Sequence, residues 1–437
     1  MSRIAFLAGS LKANLHLVRD FASLLSGSVG RLVLSLAYFV CVANGLSLAD
    51  FGLFATASAT GVVLARIAGF GFVSPLYRAA TVKKHLVGTY TAGYLAALVL
   101  SLPVAVLASA FVYWILFAGE MAWTAFAAIL AAEILCWRSL EVVLIVNNGI
   151  GRFTRAAILV ILGSAIRAGA AVLFWFGGDG SLLTWALLYL AANALAALAA
   201  IATSYPRQRL RWRPDLYLRR WRDSVAVAGA EMVFFLQSEL DKLLVLSLGG
   251  PALAGLYAII MRLIDLTAIP VRAFNTIVVQ KLMRPNKADW LGAWRRRLGV
   301  EAMVALVSIA GLTGLGGFLW LFPTALGANV ADAAPLLLLA LLVPAFRNLV
   351  EYQSELLYAR GKTGIRVLVL VLVGLAKAGF LALILSEDTP PETWIVALNG
   401  VFAVLWAMSA IMTYGTLDWA GRKTRAARFS PSLQPGE

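Results

Sequence analysis

Residues 367–386 read VLVLVLVGLAKAGFLALILS and contain a single charged side chain, that of Lys377. A run of about 20 apolar residues is long enough to cross the ~30 Å hydrocarbon core of a bilayer as an α-helix. The remainder of the chain is similar, because hydrophobic residues make up 61% of its 437 residues and charged residues only 14%. A soluble domain carries about 25% charged residues. The sequence therefore predicts an all-α polytopic membrane protein.

Polar breaks divide the chain into about twelve predicted transmembrane spans, at residues 21–45, 51–76, 87–117, 121–146, 156–176, 181–203, 224–248, 252–278, 299–323, 333–358, 367–386 and 393–415. With the connections numbered alternately from the inside, the inside segments hold 28 of the 37 Lys and Arg residues and the outside loops hold none. Positive charge near span ends sets orientation, so we expect both termini in the cytoplasm. The net charge of +15 is then a topology signal beside anionic lipid, and no nucleic-acid partner is predicted.

The longest polar stretch, residues 204–223, carries seven arginines and separates six spans from six. Gly52-Leu53-Phe54-Ala55 and Gly255-Leu256-Tyr257-Ala258 open equivalent spans of the two halves. Since six is even, the halves are predicted to be parallel repeats, a known transporter plan. The predicted division is an interfacial segment 1–20, an N-terminal lobe 21–203, a cytoplasmic basic linker 204–223, a C-terminal lobe 224–415 and a mobile cytoplasmic tail 416–437.

Nine basic residues lie inside the predicted spans. A charge at the centre of a membrane helix costs about 2.5–3.5 kcal/mol, and such residues usually face the protein interior or a water-filled cavity. Arg31, Arg66, Arg167 and Lys377 have no acidic residue within four positions. The guanidinium fork suits phosphate oxygens, so these cations predict an anionic cargo that carries phosphate.

Other interior charges have acidic neighbours at helical spacing. Arg138 and Glu141, and Arg262 and Asp265, are three residues apart, whereas Arg347 and Glu351 are four apart. Side chains at these spacings meet on one helix face. For Arg138–Glu141 and Arg347–Glu351 we favour a structural role in which the charges neutralise each other. No nucleotide-binding loop, HExxH motif or serine elbow is present, so no catalytic residue, metal site or ATP-driven engine is predicted.

Three segments resemble the bacterial polysaccharide flippases of the multidrug/oligosaccharidyl-lipid/polysaccharide exporter superfamily. LSLADFGLFA at 46–55 with AGFGF at 68–72 is similar to the second-helix signature of that family. SELDKLLVLSLG at 238–249, followed by AGLYA at 254–258 and Arg262, is similar to its seventh-to-eighth helix region. NGIGRF at 148–153 also fits. The seventh-to-eighth helix match is the most specific of the three.

The resemblance implies two MATE-like six-helix lobes around a central cavity that opens alternately to each face. The implied activity is translocation of undecaprenyl-diphosphate-linked oligosaccharide from the cytoplasmic to the periplasmic leaflet of the bacterial inner membrane, for O-antigen or exopolysaccharide synthesis. Membrane lipid, a polysaccharide polymerase and a chain-length regulator are the implied partners. No cofactor is expected, and the resemblance implies an ion gradient with H⁺ or Na⁺ as the coupling ion.

Combining this cargo with the interior charges assigns two sets of site residues. The residues expected to bind the diphosphate are Arg31, Arg66, Arg167, Arg262 and Lys377. The residues expected to couple ions or form salt bridges are Glu133, Glu239, Asp241, Asp265, Arg347 and Glu351.

Three alternatives stay open at this point. A cation-coupled multidrug exporter of the same superfamily predicts an acid-rich cavity, and a lipid II flippase predicts two additional helices. A membrane glycan polymerase or ligase predicts a large outside loop, which the chain lacks. We therefore expect a transporter and not an enzyme.

Overall fold

The computed structural model describes residues 30, 32–272, 274–275, 294–385 and 390–429, with side chains described as far as Asp418. This part of the chain contains helices and no strands, so the predicted all-α class is confirmed. The α-helices are α1 (Leu32–Gly45), α2 (Leu48–Leu64), α3 (Val73–Val82), α4 (Val87–Leu116), α5 (Trp123–Ala131), α6 (Arg138–Gly149), α7 (Phe153–Gly177), α8 (Leu182–Ser204), α9 (Pro214–Thr267), α10 (Trp294–Leu321), α11 (Ala328–Leu337), α12 (Val343–Ala359), α13 (Thr363–Leu385) and α14 (Pro391–Phe429).

Seven of the described helices are long and apolar enough to cross a membrane, and nine spans result if each bent helix pair counts as one. The predicted number of twelve is therefore approximate. Helix α9 alone covers the predicted seventh span and most of the eighth, and is broken where Gly250 has φ 78° and Pro251 follows. The predicted fourth span is divided by a π-helical segment, Ala132–Trp137, between α5 and α6. The first break separates two predicted spans, and the second divides one predicted span into shorter helical pieces.

The chain folds into two compact units. The first unit comprises the described residues up to Ile259 together with Phe322–Ala333. The second comprises Ile260–Leu321 and the described residues from Ala334 onward. The lobe boundaries at the 204–223 linker stay a prediction.

The segment 322–333 joins the first unit through two asparagines. The Asn44 side-chain amide donates to the carbonyl of Leu326 at 2.8 Å. The Asn329 amide donates to the carbonyls of Ala43 at 2.6 Å and Leu46 at 2.9 Å. The last carbonyls of a helix have no helical partner, and Asn329 satisfies those at and just after the end of α1. The Asn44 bond to Leu326 adds a second link that holds this distant segment of the chain at the end of α1.

The start of α2 explains the 46–55 sequence pattern in physical terms. Ser47 is the N-cap, and its side-chain oxygen accepts from the backbone N–H of Asp50 at 3.1 Å. Two residues further on, a Cβ on Gly52 would collide with the carbonyl oxygen of Pro251 and lie 2.5 Å from the nitrogen of Gly255. A Cβ on Gly255 would collide with the carbonyl oxygen of Leu48. The two Gly-Leu-aromatic-Ala motifs therefore form one close helix crossing inside the first unit, of the type that small residues permit.

Candidate substrate-binding site

Four charged side chains form a network inside the first unit, called here the Arg66 network: Arg66, Arg138, Glu141 and Glu231. Glu141 accepts from both arginines, with Oε1 3.1 Å from Arg66 Nη1 and Oε2 2.7 Å from Arg138 Nη1. Glu231 Oε2 lies 3.5 Å from Arg138 Nη2 and 3.8 Å from Arg66 Nη1. The predicted Arg138–Glu141 pair is confirmed. No acidic residue lies within four positions of Arg66 in the sequence, but α6 and α9 supply it with two carboxylate partners from far away in the chain.

Arg66 lies directly after α2, at the point where that helix ends. Its Nε donates to the carbonyl of Val62 at 3.3 Å, and its guanidinium lies 4.2 Å from the centroid of the Phe235 ring. A cation near a helix C-terminus is stabilised by the helix dipole, and a guanidinium over an aromatic face gains a further cation–π contribution. The side chain is therefore held in one position by the helix end, the ring and the carboxylates.

The residues after Arg66 break the helix sharply. Gly69, Phe70 and Gly71 all have positive φ, at 72°, 45° and 70°, and α2 and the helix that follows are bent by 48°. Positive φ is unfavourable for a bulky residue such as Phe70. The Oγ of Ser101 on α4 accepts from the N–H of Gly69 at 2.9 Å, which satisfies one amide released by the break. Strained backbone of this kind concentrates at functional sites.

A second polar group surrounds Glu133. Its Oε1 accepts from the Ser58 hydroxyl at 2.7 Å and from the Tyr189 hydroxyl at 2.6 Å. Glu133 lies in the π-helical segment 132–137, and a Cβ on Gly61 would lie 2.7 Å from the Glu133 Cβ. Single π-helical turns inside α-helices are frequent at functional sites. The carboxylate is fully enclosed within the first unit and is held by two hydroxyl donors.

Arg167 lies near the middle of α7 and stacks on the indole ring of Trp137, with its Cζ 4.2 Å from the ring centroid. The exposed face of α7 is marked by large apolar residues such as Ile158 and Phe176. At 3.6 residues per turn, Arg167 lies on the opposite face, with buried Ala171. Among the described residues, no carboxylate lies within 4.0 Å of its guanidinium.

The Glu133 group and the Arg66 network lie one after the other along α2. Ser58 and Val62 lie four residues apart on one face of α2, and Arg66 follows four residues later in the turn after the helix. At 1.5 Å per residue, the Glu133 group and the Arg66 network are about 12 Å apart along that face. Together they form a polar stripe along this side of α2.

The second unit has its own charge network, called here the Asp265 network: Asp265, Arg272, Arg347 and Glu351. Arg347 Nη1 lies 3.1 Å from Asp265 Oδ1. Arg272 contacts Glu351 at 3.3 Å and Asp265 at 3.5 Å. The ion pairs described here thus join Asp265 to Arg347 and Glu351 to Arg272. The expected Arg347–Glu351 and Arg262–Asp265 pairings are not among the described ion pairs, because α12 and the end of α9 approach each other and bring closer partners.

The remaining predicted site residues are dispersed. Asp241 accepts from the Tyr257 hydroxyl at 2.6 Å, and Glu239 pairs with Lys242 on the same helix. Arg262 is half-buried in the second unit, and Lys377 is buried on α13. The predicted cations are thus divided between the two units, with Arg66 and Arg167 in the first and Arg262 and Lys377 in the second, and Arg31 lies outside the described residues. No cluster of three or more potential metal ligands occurs in the part of the chain that the structure describes.

Several residues of the stripe were not in the predicted sets. Four of them are uncharged residues of types that are common in membrane helices, so composition gives no reason to select them: Ser58, Tyr189, Trp137 and Phe235. Glu231 is an acid at membrane depth, and the cost of burying a charge was a signal that could have marked it.

No protein-family model matches the chain, and no curated protein matches it by sequence. Solved structures do match. An inward-facing multidrug resistance MATE family transporter of the MOP superfamily is 15% identical, with a TM-score of 0.58 over 92% of this chain and 96% of its own. A MOP superfamily transporter from Pyrococcus furiosus is 16% identical, with a TM-score of 0.59 over 94% and 96%. The MATE multidrug transporter DinF-BH is 15% identical, with a TM-score of 0.53 over 90% and 94%.

At these identities the likeness shows the fold alone. The chain has the fold of the MATE transporters of the MOP superfamily, a multi-pass membrane fold. The MATE-like class expected from the sequence is thereby confirmed.

Proposed function

We propose that the protein is a flippase that moves undecaprenyl-diphosphate-linked oligosaccharide from the cytoplasmic to the periplasmic leaflet of a bacterial inner membrane. Transport across a membrane is the activity associated with the solved structures of this fold. The phosphate-bearing cargo, the inner membrane, the cytoplasmic termini and the cooperation with a polysaccharide polymerase and a chain-length regulator are parts of the proposal.

Arg167 is the observation that carries the proposal. Its guanidinium lies on the inward face of a membrane helix, stacked on Trp137 and without a described carboxylate within 4.0 Å. A charge at this depth is expensive unless it has a function. A diphosphate offers the anionic oxygens that a guanidinium fork binds in bidentate geometry.

The Arg66 network supplies a second step in this mechanism. Arg66 is held by Glu141 and Glu231, so an anionic cargo must compete with carboxylates for it. Binding of a proton to Glu231, whose side chain is 40% exposed, would remove one competitor and release guanidinium donors. We propose alternating access in which cargo and H⁺ or Na⁺ exchange at these positions, with Glu133, Glu239, Asp241 and Asp265 as further sites for the coupling ion.

A cation-coupled multidrug exporter is the second candidate. Described acids in the first unit, including Glu133, Glu141, Glu231 and Asp241, offer counter-charges for a cationic drug. The Pyrococcus furiosus transporter is described as having a binding pocket of reverse polarity that suggests a different function. The fold is therefore compatible with cargoes of different charge, and the charges that line the pocket must determine which cargo is bound. A lipid II flippase shares the diphosphate chemistry and differs in the glycan.

Transport in proteoliposomes tests the proposal. The protein is reconstituted with a fluorescent undecaprenyl-diphosphate-linked oligosaccharide, and outer-leaflet label is quenched over time. We expect Arg167→Gln to slow translocation about tenfold or more, because a hydrogen bond to a charged group contributes about 1.5–3 kcal/mol. Arg167→Lys retains part of the rate because it keeps the charge without the fork.

Arg219→Gln is the matched control, because Arg219 is exposed near the start of α9 and its loss removes the same charge. Parent rates in Arg167→Gln would remove Arg167 from the mechanism. Uptake of a lipophilic cationic dye in the same vesicles, with no translocation of the diphosphate lipid, would establish the multidrug alternative. Translocation of lipid II in preference to the oligosaccharide lipid would identify the third candidate.

A further inference from the structure

A cavity of about 550 Å³ opens at one end of the first unit, between the start of α7 and the end of α8. Arg152, Arg155 and Arg207 line it, together with polar side chains that include Thr203, Tyr205 and Gln208. No acidic residue is part of the lining. This cavity is separate from the polar stripe at Arg66 and Glu133.

The side chains of the three arginines have no described protein partner. Within the described residues, none of their side chains makes an ion pair or a hydrogen bond. Many other arginines of the chain, such as Arg213 and Arg220, pair with a nearby aspartate. Three arginines without a described counter-charge line this one cavity and make it positively charged, and positively charged concave surfaces attract anions.

The walls of the cavity are fixed by hydrogen bonds. The Asn147 amide donates to the carbonyl of Ser204 at 3.1 Å, and the N–H of Arg152 donates to the carbonyl of Asn147 at 2.8 Å. Gln208 accepts from the N–H of Gly88 at 2.9 Å and donates to the carbonyl of Lys84 at 3.0 Å. The cavity is therefore held in shape by contacts that do not use the arginine side chains, so a ligand finds it already formed.

The helix surfaces next to the cavity are apolar and exposed. Phe153 and Ile158 on α7 are 67% and 57% exposed, and Leu198 and Ile201 on α8 are 66% and 45% exposed. In a membrane helix, such side chains face lipid acyl chains. The cationic cavity thus lies at the end of a lipid-facing surface, at the level where a lipid head group meets water. Basic pockets between membrane helices on the cytoplasmic side are known to bind anionic head groups.

We propose that this cavity binds the phosphate head group of an anionic membrane lipid, with Arg152, Arg155 and Arg207 contacting the phosphate oxygens. The acyl chains lie along the exposed residues of α7 and α8. The site does not depend on the proposed cargo, because it is formed by other residues.

Lipid binding to the full-length protein tests the site. The probes are phosphatidylglycerol and cardiolipin, with phosphatidylcholine as the neutral lipid, and bound lipid is measured by native mass spectrometry of the detergent-solubilised protein. The pocket variant combines Arg152→Ala, Arg155→Ala and Arg207→Ala. We expect at least a tenfold loss of anionic-lipid affinity, since each basic residue at a membrane surface contributes roughly 1 kcal/mol, about fivefold.

The matched control combines Arg211→Ala, Arg219→Ala and Arg222→Ala, which removes three exposed arginines of the same basic region outside the cavity. Its lipid binding should equal that of the parent. Equal loss in both triple variants would overturn the site, because diffuse surface charge would then explain the binding. A melting temperature unchanged in both variants confirms that each is folded.

A separate arm distinguishes the source of the phosphate. Inorganic phosphate at millimolar concentration is added to lipid-free protein, and binding is followed by calorimetry. We expect no saturable binding, because the lipid supplies apolar contacts that phosphate lacks. Saturable binding of inorganic phosphate that is lost in the pocket variant, without preference for anionic lipid, would overturn the lipid assignment in favour of a soluble phosphate.

Discussion

The two units of this protein each contain a network of two arginines and two acids, and the networks differ in burial. In the first unit, the side chains of Arg66 and Arg138 are 4% and 2% exposed. In the second, those of Arg347 and Arg272 are 24% and 48% exposed. Both networks are formally neutral. The acids are similarly exposed in the two networks, at 27% and 40% for Glu141 and Glu231 and at 26% and 33% for Asp265 and Glu351. The networks therefore differ in their cations, which are shielded from solvent in the first unit and partly exposed in the second.

This difference predicts distinct energetic roles. A buried charge that loses its partner is strongly destabilising, whereas an exposed ion pair contributes about 0–1 kcal/mol. Loss of one charge from the Arg66 network should thus strongly lower the free energy of unfolding, whereas loss of one charge from the Asp265 network should lower it only slightly. Three substitution experiments test this comparison.

The largest effect is expected for Glu141→Gln. Glu141 is hydrogen-bonded to both buried arginines, and its loss leaves two guanidinium groups with Glu231 alone. We expect a loss of about 3 kcal/mol in the free energy of unfolding, measured by denaturant titration in micelles. The double variant Arg138→Met with Glu141→Leu should recover more than half of this loss, because it removes both charges together. A change below about 0.5 kcal/mol for Glu141→Gln would contradict the assigned burial.

An intermediate effect is expected for Gly52→Ala. A Cβ at Gly52 meets the backbone of Pro251 and Gly255, which cannot move aside, whereas a Cβ at Gly311 lies 3.1 Å from the Thr267 side chain. We expect Gly52→Ala to cost about 1–3 kcal/mol, the range for overpacking. Gly311→Ala, in α10 of the second unit, should be near neutral because alanine is favoured over glycine inside helices. Similar falls in melting temperature for both variants would show that the helices at Gly311 are packed as closely as those at Gly52.

The smallest effect is expected for Glu351→Gln. Its carboxylate is 33% exposed and contacts Arg272, which is 48% exposed, so its loss should cost at most about 1 kcal/mol. At 1 M salt the Debye length falls to about 3 Å. The difference between parent and Glu351→Gln should then shrink, while that for Glu141→Gln persists. A Glu351→Gln effect that does not change with salt would place the Asp265 network in a buried environment.

The sequence anticipated some parts of these sites better than others. The Arg138–Glu141 pair was predictable because both residues lie on one turn of helix, three positions apart. The partner of Arg66 was not, because Glu141 is 75 residues away and reaches it only through the packing of α6 against the end of α2. The same holds for Arg347 and Asp265.

The helix breaks also differ in whether the sequence predicts them. The break inside α9 falls at Gly250-Pro251, between the predicted seventh and eighth spans, because proline removes a backbone donor and glycine tolerates positive φ. The bend after α2 falls within the predicted second span. Gly69, Phe70 and Gly71 adopt left-handed conformations there, and a Cβ on Gly71 would also collide with the carbonyl oxygen of Ser224. The π-helical turn at Glu133 has no local sequence signal.

Hydropathy alone determined that this chain is a bundle of membrane helices, where each apolar span lies and which loops are basic, because the cost of placing polar groups in hydrocarbon acts on each segment independently. Only the tertiary structure decided which distant carboxylates pair with Arg66 and Arg347, that Arg167 stacks on a tryptophan, and which three arginines line one basic cavity. Those outcomes depend on how each helix is rotated and bent against its neighbours, and no single span contains that information.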